Sequence, residues 1–203
     1  LEQTAPSSDE DSSAPAAGRD WTPEPGGPVL LETADGPIAL PAPMFEDAEL
    51  RSLRSRARAY LSVGIPVHFR GRAGMGKTTI ALSLAAELCR PAVLVSGDAG
   101  LTTADLVGRE IGQDQRRLHD RYVQRVTRTE TQTRTVWSDG VLTRAMAAGH
   151  TLVYDEFTRS PAETNGVLLS ALEERLLAVP DPLRPGRLVR AHPEFRAIFT
   201  SNP

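Results

Sequence analysis

"HFRGRAGMGKTTIALSLAAEL", residues 68–88, contains the pattern G-x-x-x-x-G-K-[ST] between Gly71 and Thr78. Glycines in such a pattern let the backbone curl until its N–H groups point inward at phosphate oxygens. The Lys77 ammonium extends to the terminal phosphates, and the Thr78 hydroxyl can bind Mg²⁺. The pattern predicts a nucleotide-binding loop made of the following residues: Gly71, Arg72, Ala73, Gly74, Met75, Gly76, Lys77, Thr78 and Thr79.

Lys77 is the only lysine in a chain that otherwise uses arginine. The broad planar fork of arginine does not fit a narrow backbone cradle around phosphates, whereas a slim ammonium does. The alternative interpretation is a glycine-rich turn with an accidental lysine. A short β-rich run, IPVHF, precedes the loop and a helical segment over 78–89 follows it, and this strand–loop–helix context favours the phosphate loop.

Three further apolar runs are predicted strands: PAVLVSG (91–97), GHTLVYDE (149–156) and RAIFTSNP (196–203). Helices are predicted over 44–64 and 160–177, the latter with Ser160 as its cap, Pro161 in its first turn and Glu163 completing a capping box. Strands that alternate with helices, each a near-continuous apolar run, indicate an α/β fold with a parallel sheet covered on both faces.

Polar residues end two of these strands. Asp155 at the tip of a parallel strand faces the crevice where ligands bind and can hold Mg²⁺, and the adjacent Glu156 can act as the general base that activates water. Asn202, at the tip of another strand, can bind the γ-phosphate or orient the same water. The alternatives are a solvated acidic pair for Asp155-Glu156 and a simple Asn-Pro turn at 202–203.

Composition divides the chain into three parts. Residues 1–28 are dominated by Ser, Pro, Ala, Gly and acidic residues, which predicts a disordered acidic tail; residues 29–44 form a transition segment with a short apolar run; residues 45–203 form the nucleotide-binding domain. The single cysteine excludes an internal disulfide, and no metal site built from protein side chains alone is predicted. No apolar run approaches the roughly 20 residues of a membrane-spanning helix, and no secretory signal is visible, so we expect a cytoplasmic protein without a membrane partner.

An arginine-rich segment over 109–134 is longer than a simple connection between a helix and a strand. Arginines recur every three or four residues at positions 117, 121, 125 and 128, which predicts one basic helical face. Three interpretations stay open: a solvated face, an insertion that faces a substrate or partner, and a nucleic-acid contact. Tyr122 and Trp137 are too few for a base-stacking platform, so nucleic acid is disfavoured. A second insertion, a hairpin, is predicted over 179–195.

The phosphate loop, the Asp-Glu strand and the Asn-tipped strand, in this order, resemble an AAA+ ATPase domain. "YDEFTRSPAETNGVLLSALEERLL", from Tyr154, is similar to the MoxR branch, and "HFRGRAGMGKTT", "LVYDEFTRS" and "HPEFRAIFTSNP" resemble the gas vesicle protein N (GvpN) family within it. "LTTADLVGR" and "TVWSDGVLTRAM" also resemble NorQ/CbbQ proteins, which activate metalloenzymes. The resemblance covers about residues 45–203.

This resemblance implies a P-loop NTPase (AAA+) three-layer sandwich, with Lys77 and Thr78 in the Walker A role, Asp155 and Glu156 in the Walker B role and Asn202 as sensor 1. ATP and Mg²⁺ are the implied cofactors, and other gas vesicle proteins are the implied clients. The implied localisation is cytoplasmic and associated with gas vesicles. An alternative is a nucleotide-dependent binding module with little turnover.

The family also implies a ring homo-oligomer (hexamer) in which an arginine from one subunit completes the neighbour's site. The fifth strand, the arginine finger and the helical lid of the family have no counterpart in these 203 residues, so the resemblance implies a fold that is incomplete at the C-terminus. Arg159 and Arg175 are candidates for a trans-acting arginine, with a surface salt bridge as the alternative for each.

Overall fold

A computed structural model describes the backbone of residues 30–33, 36–39, 47–117 and 131–203, and the side chains of residues 47–111 and 136–203. The predicted acidic tail, 1–28, lies outside these residues. Among the described helices, none is both long and apolar enough to cross a membrane.

A six-stranded sheet forms the centre of the fold, in the order β2-β1-β4-β7-β10-β3. All neighbours in this sheet are parallel except β1 and β2, which form an antiparallel hairpin at one edge. The predicted transition segment therefore contains two strands that extend the sheet. The strands are β1 (Leu30–Thr33), β2 (Gly36–Ala39), β3 (Val67–Arg70), β4 (Ala92–Ser96), β7 (Thr151–Asp155) and β10 (Arg196–Ser201).

Helices lie on both faces of the sheet. They are α1 (Ala48–Ser62), α2 (Lys77–Glu87), α3 (Thr103–Val107), α4 (Val141–Ala148) and α5 (Ala162–Leu169). Successive strand residues point to opposite faces, and this alternation separates two cores: Val153 of β7 packs with α1 and α2, whereas Leu152 and Tyr154 pack with α3, α4 and α5. The predicted α/β architecture with a covered parallel sheet is confirmed.

The arginine-rich segment differs from its prediction. β5 (Gly108–Arg117) and β6 (Thr131–Asp139) form an antiparallel hairpin, with a bulge between Ile111 and Gln113. The predicted basic helical face is therefore wrong for Arg117, which lies on a strand, while Arg121, Arg125 and Arg128 lie outside the described residues. Charge spacing misled the prediction because a helix is established by the periodicity of its apolar residues, and this segment has no such periodicity.

The predicted helix over 160–177 is also shorter than expected. α5 begins after Pro161, with no side-chain cap, and the chain passes through a π-helical turn at Ser170–Glu174 before Arg175 adopts a left-handed conformation. The predicted capping box is wrong because the Ser160 side chain is turned inward, where its Oγ lies 2.9 Å from the Tyr154 hydroxyl. A buried tyrosine hydroxyl requires a partner, and Ser160 supplies it.

A hairpin is present at the second predicted insertion, but it begins before the predicted range of 179–195: it is made of β8 (Leu176–Ala178), which the prediction gave to the end of a helix, and β9 (Leu188–Arg190). An ion pair joins it to the first hairpin: both terminal nitrogens of Arg187 donate to the Asp139 carboxylate, Nη2 at 2.7 Å. Trp137 Nε1 donates to the same carboxylate at 2.9 Å. The Asp181 side chain, fully buried, lies 3.6 Å from Arg187. The base of the first hairpin is therefore tied to the loop between β8 and β9 of the second.

Candidate nucleotide site

Three strand ends meet at the carboxyl edge of the sheet. β3 leads into the loop of residues 71–76, and the loop leads into α2 at Lys77. β7 ends at Asp155, and β10 ends one residue before Asn202. Because β10 lies between β3 and β7 in parallel register, the loop, the acidic pair and the asparagine come to the same place.

The loop has the backbone form that its glycines predict. Gly74 and Gly76 have φ angles of 79° and 74°, in the left-handed region that residues with a Cβ avoid. Lys77 Nζ donates to the backbone carbonyl of Arg72 at 2.8 Å and to Asn202 Oδ1 at 3.0 Å. The lysine therefore folds back over the loop, where its ammonium faces the space that the loop encloses. Thr79, one turn into α2, is exposed.

Two hydroxyl groups hold the Asp155 carboxylate. Thr78 Oγ1 donates to Asp155 Oδ1 at 2.7 Å, and Thr200 Oγ1 donates to the same oxygen. The Thr200 hydroxyl in turn accepts the backbone N–H of Glu156 at 2.9 Å. Thr200 thus fixes both acidic residues. Thr200 lies on the same strand end as Asn202, and the sequence pattern predicted a role for Asn202 alone.

Glu156 begins a tight turn in a strained backbone conformation. Its φ is 50°, in the left-handed region, which costs a non-glycine residue about 1–3 kcal/mol. The end of β4 approaches this turn closely: Gly97 N donates to the Asp155 carbonyl at 2.7 Å, and a Cβ on Gly97 would lie 2.3 Å from the Glu156 carbonyl. Only glycine fits at position 97, a requirement that no sequence motif signals.

The Glu156 carboxylate has a donor on each oxygen. Asn202 Nδ2 donates to Oε1 at 3.0 Å, and Arg159 Nη1 donates to Oε2 at 2.5 Å. The Arg159 hydrogen bond and, to a smaller extent, the Asn202 bond hold the pKa of Glu156 below its usual range. Glu156 is therefore ionised at neutral pH, which is the form that accepts a proton.

A groove of about 880 Å³ lies beside the loop, between the loop and the start of α1. Its lining combines charged and apolar side chains: Asp47, Glu49, Leu53, Arg56, Phe69, Arg72, Met75 and Ile80. Its volume is that of a small-molecule site. Lys77 also lines this groove, so the groove is continuous with the phosphate loop.

The oxygen atoms at the base of the loop suit a Mg²⁺ ion. Mg²⁺ prefers hard oxygen ligands and commonly takes one or two from protein and the rest from phosphates and water. Thr78 and Asp155 present a hydroxyl and a carboxylate that already touch. Within the described residues there is no cluster of three or more His, Cys, Asp and Glu side chains that could hold a metal ion without other ligands.

The structure brings together five of the residues predicted to act: Lys77, Thr78, Asp155, Glu156 and Asn202. The two candidate arginines have different partners. Arg159 contacts Glu156, whereas the Arg175 guanidinium donates to the carbonyls of His192 and Phe195 and lies over the Phe195 ring. Arg175 is therefore engaged in holding the segment between the second hairpin and β10.

Comparison with known proteins assigns the family. Residues 66–203, more than two thirds of the chain, match the family described as AAA domain (dynein-related subfamily). The chain belongs to the AAA-domain family. The phosphate loop, the acidic pair and the strand-end asparagine all lie within the matched residues.

Relatives of this AAA domain include gas vesicle proteins. The chain is 49% identical over 158 residues to the gas vesicle ATPase GvpN of Ancylobacter aquaticus, covering 78% of the chain and 44% of that protein. It is 43% identical over 160 residues to the gas vesicle ATPase GvpN of Haloferax mediterranei, covering 79% and 46%. It is 30% identical over 139 residues to Protein NorQ of Paracoccus denitrificans, covering 68% and 44%. The resemblance to the GvpN family is confirmed.

The chain spans less than half the length of the curated relatives it matches. A solved protein structure from Cytophaga hutchinsonii superposes with a TM-score of 0.51 at 17% identity, covering 75% of this chain and 38% of the other. At that identity the likeness concerns the fold alone, and it agrees with the AAA assignment.

Proposed function

We propose that this AAA domain binds ATP with Mg²⁺ and hydrolyses it, and that the hydrolysis drives the remodelling of client proteins during gas vesicle assembly in the cytoplasm. One observation carries the proposal: the phosphate-loop lysine, the acidic pair and the strand-end asparagine form one set of hydrogen bonds, in which Thr200 links Asp155 to Glu156. Lys77 bonds Asn202, Asn202 bonds Glu156, and Asp155 bonds Thr78.

Each residue has a role that its contacts support. Lys77 and the N–H groups of the loop bind the phosphates, and Asn202 lies where an amide can reach the last of them. The Glu156 carboxylate accepts a proton from water while the water oxygen bonds to the γ-phosphorus and the bond to the bridging oxygen breaks, so that ADP leaves with that oxygen. Thr78 and Asp155 would hold Mg²⁺, whose chemistry is to neutralise charge on the phosphates.

The groove beside the loop supplies a place for the nucleoside. It adjoins Lys77 and is lined by Phe69, Ile80 and Met75 for the flat base, with Arg56 and Asp47 at its polar side. A nucleotide with its phosphates in the loop extends its base toward this groove.

The names of the relatives support the proposed client and pathway. Two curated relatives at 43–49% identity are named gas vesicle ATPases, and gas vesicle proteins are therefore the proposed clients. We assign the hairpin β5–β6 to client contact, because it forms a two-stranded sheet separate from the central one and belongs to the arginine-rich segment. A ring of identical subunits, a hexamer by family resemblance, is the proposed working assembly.

The enzymatic part is tested by phosphate release. The protein is incubated with Mg-ATP, with and without vesicle shell proteins, beside a Lys77→Ala variant. We expect release by the unsubstituted protein and none above background by the variant. ATP binding without release under either condition would replace the proposal with a nucleotide-dependent binding module.

The pathway is tested in a vesicle-forming host. The gene is exchanged for the Lys77→Ala version, and vesicles are counted by electron microscopy. We expect their loss, with normal vesicles when the unsubstituted gene is restored. Intact vesicles together with the loss of a metalloenzyme activity would contradict the assignment and favour the NorQ-like alternative, to which the chain is 30% identical.

A further inference from the structure

Arg159 contacts the proposed base in a way that the phosphate-loop mechanism does not use. Its Nη1 lies 2.5 Å from Glu156 Oε2, on the carboxylate oxygen that Asn202 leaves free. We propose that Arg159 is a positioning residue that acts within its own subunit and holds the Glu156 carboxylate toward the attacking water. This inference rests on the proposed function, because it needs Glu156 to be the base.

The turn that carries Arg159 is fixed by its backbone. Residues 157–159 form a single 3-10 turn, in which Arg159 N donates to the Glu156 carbonyl at 2.9 Å. Asn165 Nδ2 donates to the Phe157 carbonyl at 2.9 Å, and the Tyr154 hydroxyl lies 3.1 Å from Asn165 Oδ1. The backbone that carries the Arg159 side chain is therefore held by β7 and α5, so that the entropy lost when its guanidinium meets Glu156 is that of the side chain alone.

The burial of the two partners differs. The Arg159 side chain is 66% exposed, whereas that of Glu156 is 29% exposed. As a contribution to stability, an exposed pair of this kind is worth only about 0–1 kcal/mol. The effect of the pair on the conformation of Glu156 matters more than its effect on stability. The Glu156 side chain, at the start of a strained left-handed turn, has several rotamers available, and the contact with Arg159 selects one of them.

Nucleotide binding makes the arginine more important. Lys77 and Asn202 both face the loop, and both donate to anions, so a bound phosphate competes for them. When the Asn202 amide turns toward phosphate, Glu156 Oε1 loses a donor. Arg159 is bonded to the other oxygen, Oε2, and keeps its contact. At that stage it is Arg159 that holds the base, so its removal should lower turnover and leave ATP binding intact.

The test compares three variants with the unsubstituted protein: Arg159→Ala, Arg159→Lys and the control Arg184→Ala. Arg184 is a matched control because, like Arg159, it forms an ion pair with a carboxylate three residues earlier, here Asp181, and its side chain is 60% exposed. It lies in the second hairpin instead of the nucleotide site. We expect Arg159→Ala to lower kcat about tenfold to a hundredfold, the cost of a misplaced reacting group, with ATP affinity within about twofold. Arg159→Lys should recover part of the loss, and Arg184→Ala should turn over normally.

Mixed assemblies separate this role from a trans-acting arginine. Arg159→Ala subunits are mixed with Glu156→Gln subunits and phosphate release is measured. A residue that acts within its own subunit gives no recovery, because every site keeps one defect. Recovery on mixing would overturn the proposal, and so would an unchanged or raised kcat in Arg159→Ala. If the unsubstituted protein binds ATP without releasing phosphate, the proposed function fails and the inference fails with it.

Discussion

The carboxyl edge of the sheet and the pair of hairpins differ in how their residues come together. At the sheet edge, short loops place polar side chains directly after three adjacent strands, and the strands are held by two buried cores. The hairpins are tied to each other by one arginine, Arg187, which bonds Asp139 across 48 positions of sequence. The nucleotide chemistry is therefore placed on strand ends that one sheet holds in register, whereas the hairpins lie outside that sheet, and the second of them contributes Leu177 and Val189 to the buried core.

The structure of the sheet edge is determined mainly by short stretches of sequence, whereas the arrangement of the hairpins depends on contacts between residues far apart in the sequence. If the two regions act separately, substitutions at the sheet edge change nucleotide chemistry, whereas changes in the hairpins alter stability or client contact. The predictions below are ordered from the largest expected effect to the smallest.

Replacement of Lys77 should have the largest effect. Lys77→Ala removes the ammonium that bonds the Arg72 carbonyl and Asn202, and we expect ATP affinity to fall at least about a hundredfold, or about 2.7 kcal/mol. Lys77→Arg should fall nearly as far, because the guanidinium is too broad for the loop. Isothermal titration with Mg-ATP measures both. An arginine variant that binds as tightly as the unsubstituted protein would contradict the steric argument.

Gly97→Ala should damage the turn that carries Glu156. The added methyl would lie 2.3 Å from the Glu156 carbonyl, so the end of β4 and the turn must separate. Overpacking of this kind costs about 1–3 kcal/mol, and we expect it as a lower free energy of unfolding together with a lower kcat. The control is Gly166→Ala in α5, where an added Cβ meets nothing within 4 Å. Equal stability of the two variants would contradict the close approach.

Arg187→Met should loosen the hairpins without affecting nucleotide chemistry. It leaves the Asp139 carboxylate without its bidentate partner, and we expect a loss of about 1–3 kcal/mol in the free energy of unfolding. ATP affinity should stay within about twofold. The matched control is Arg90→Ala, whose partner Glu194 lies 3.9 Å away at the surface. A change in ATP affinity with Arg187→Met would show that the two regions are coupled.

Shortening the first hairpin should have the smallest effect on the site. Residues 114–134 are replaced by Asn-Gly, a pair that favours a two-residue turn. The new turn then joins Gln113 directly to Thr135, which are paired in the hairpin. We expect unchanged ATP affinity and unchanged phosphate release without clients, but loss of vesicles in the host. Normal vesicle formation would remove the hairpin from client contact.

The site was largely predictable and the first hairpin was not, for a physical reason. Gly74, Gly76 and Lys77 are required by a local backbone shape, so their spacing is visible in the sequence. Thr200 and Gly97 act on a neighbouring strand: the Thr200 hydroxyl donates to Asp155, and Gly97 approaches the Glu156 carbonyl closely. The spacing of residues along the chain does not show which strands are neighbours, so these two roles could not be predicted.

Two local sequence patterns led to wrong predictions, because neither shows the contacts that decide the structure at its position. Ser160, Pro161 and Glu163 have the spacing of a capping box, but Tyr154 competes for the serine hydroxyl from inside the fold. The arginines at positions 117, 121, 125 and 128 have helical spacing, but Arg117, the one of them that the structure describes, lies on β5, because the spacing of charges does not decide between a helix and a strand.

The central claim is that Glu156 activates water at a site that binds ATP through Lys77. The most direct measurement is the identity of the nucleotide that the Glu156→Gln protein retains. The protein is incubated with Mg-ATP and desalted, and the bound nucleotide is identified by chromatography. We expect intact ATP on the variant and ADP on the unsubstituted protein, with similar ATP affinity in both. ADP formed by the variant at the unsubstituted rate would contradict the assignment of the base.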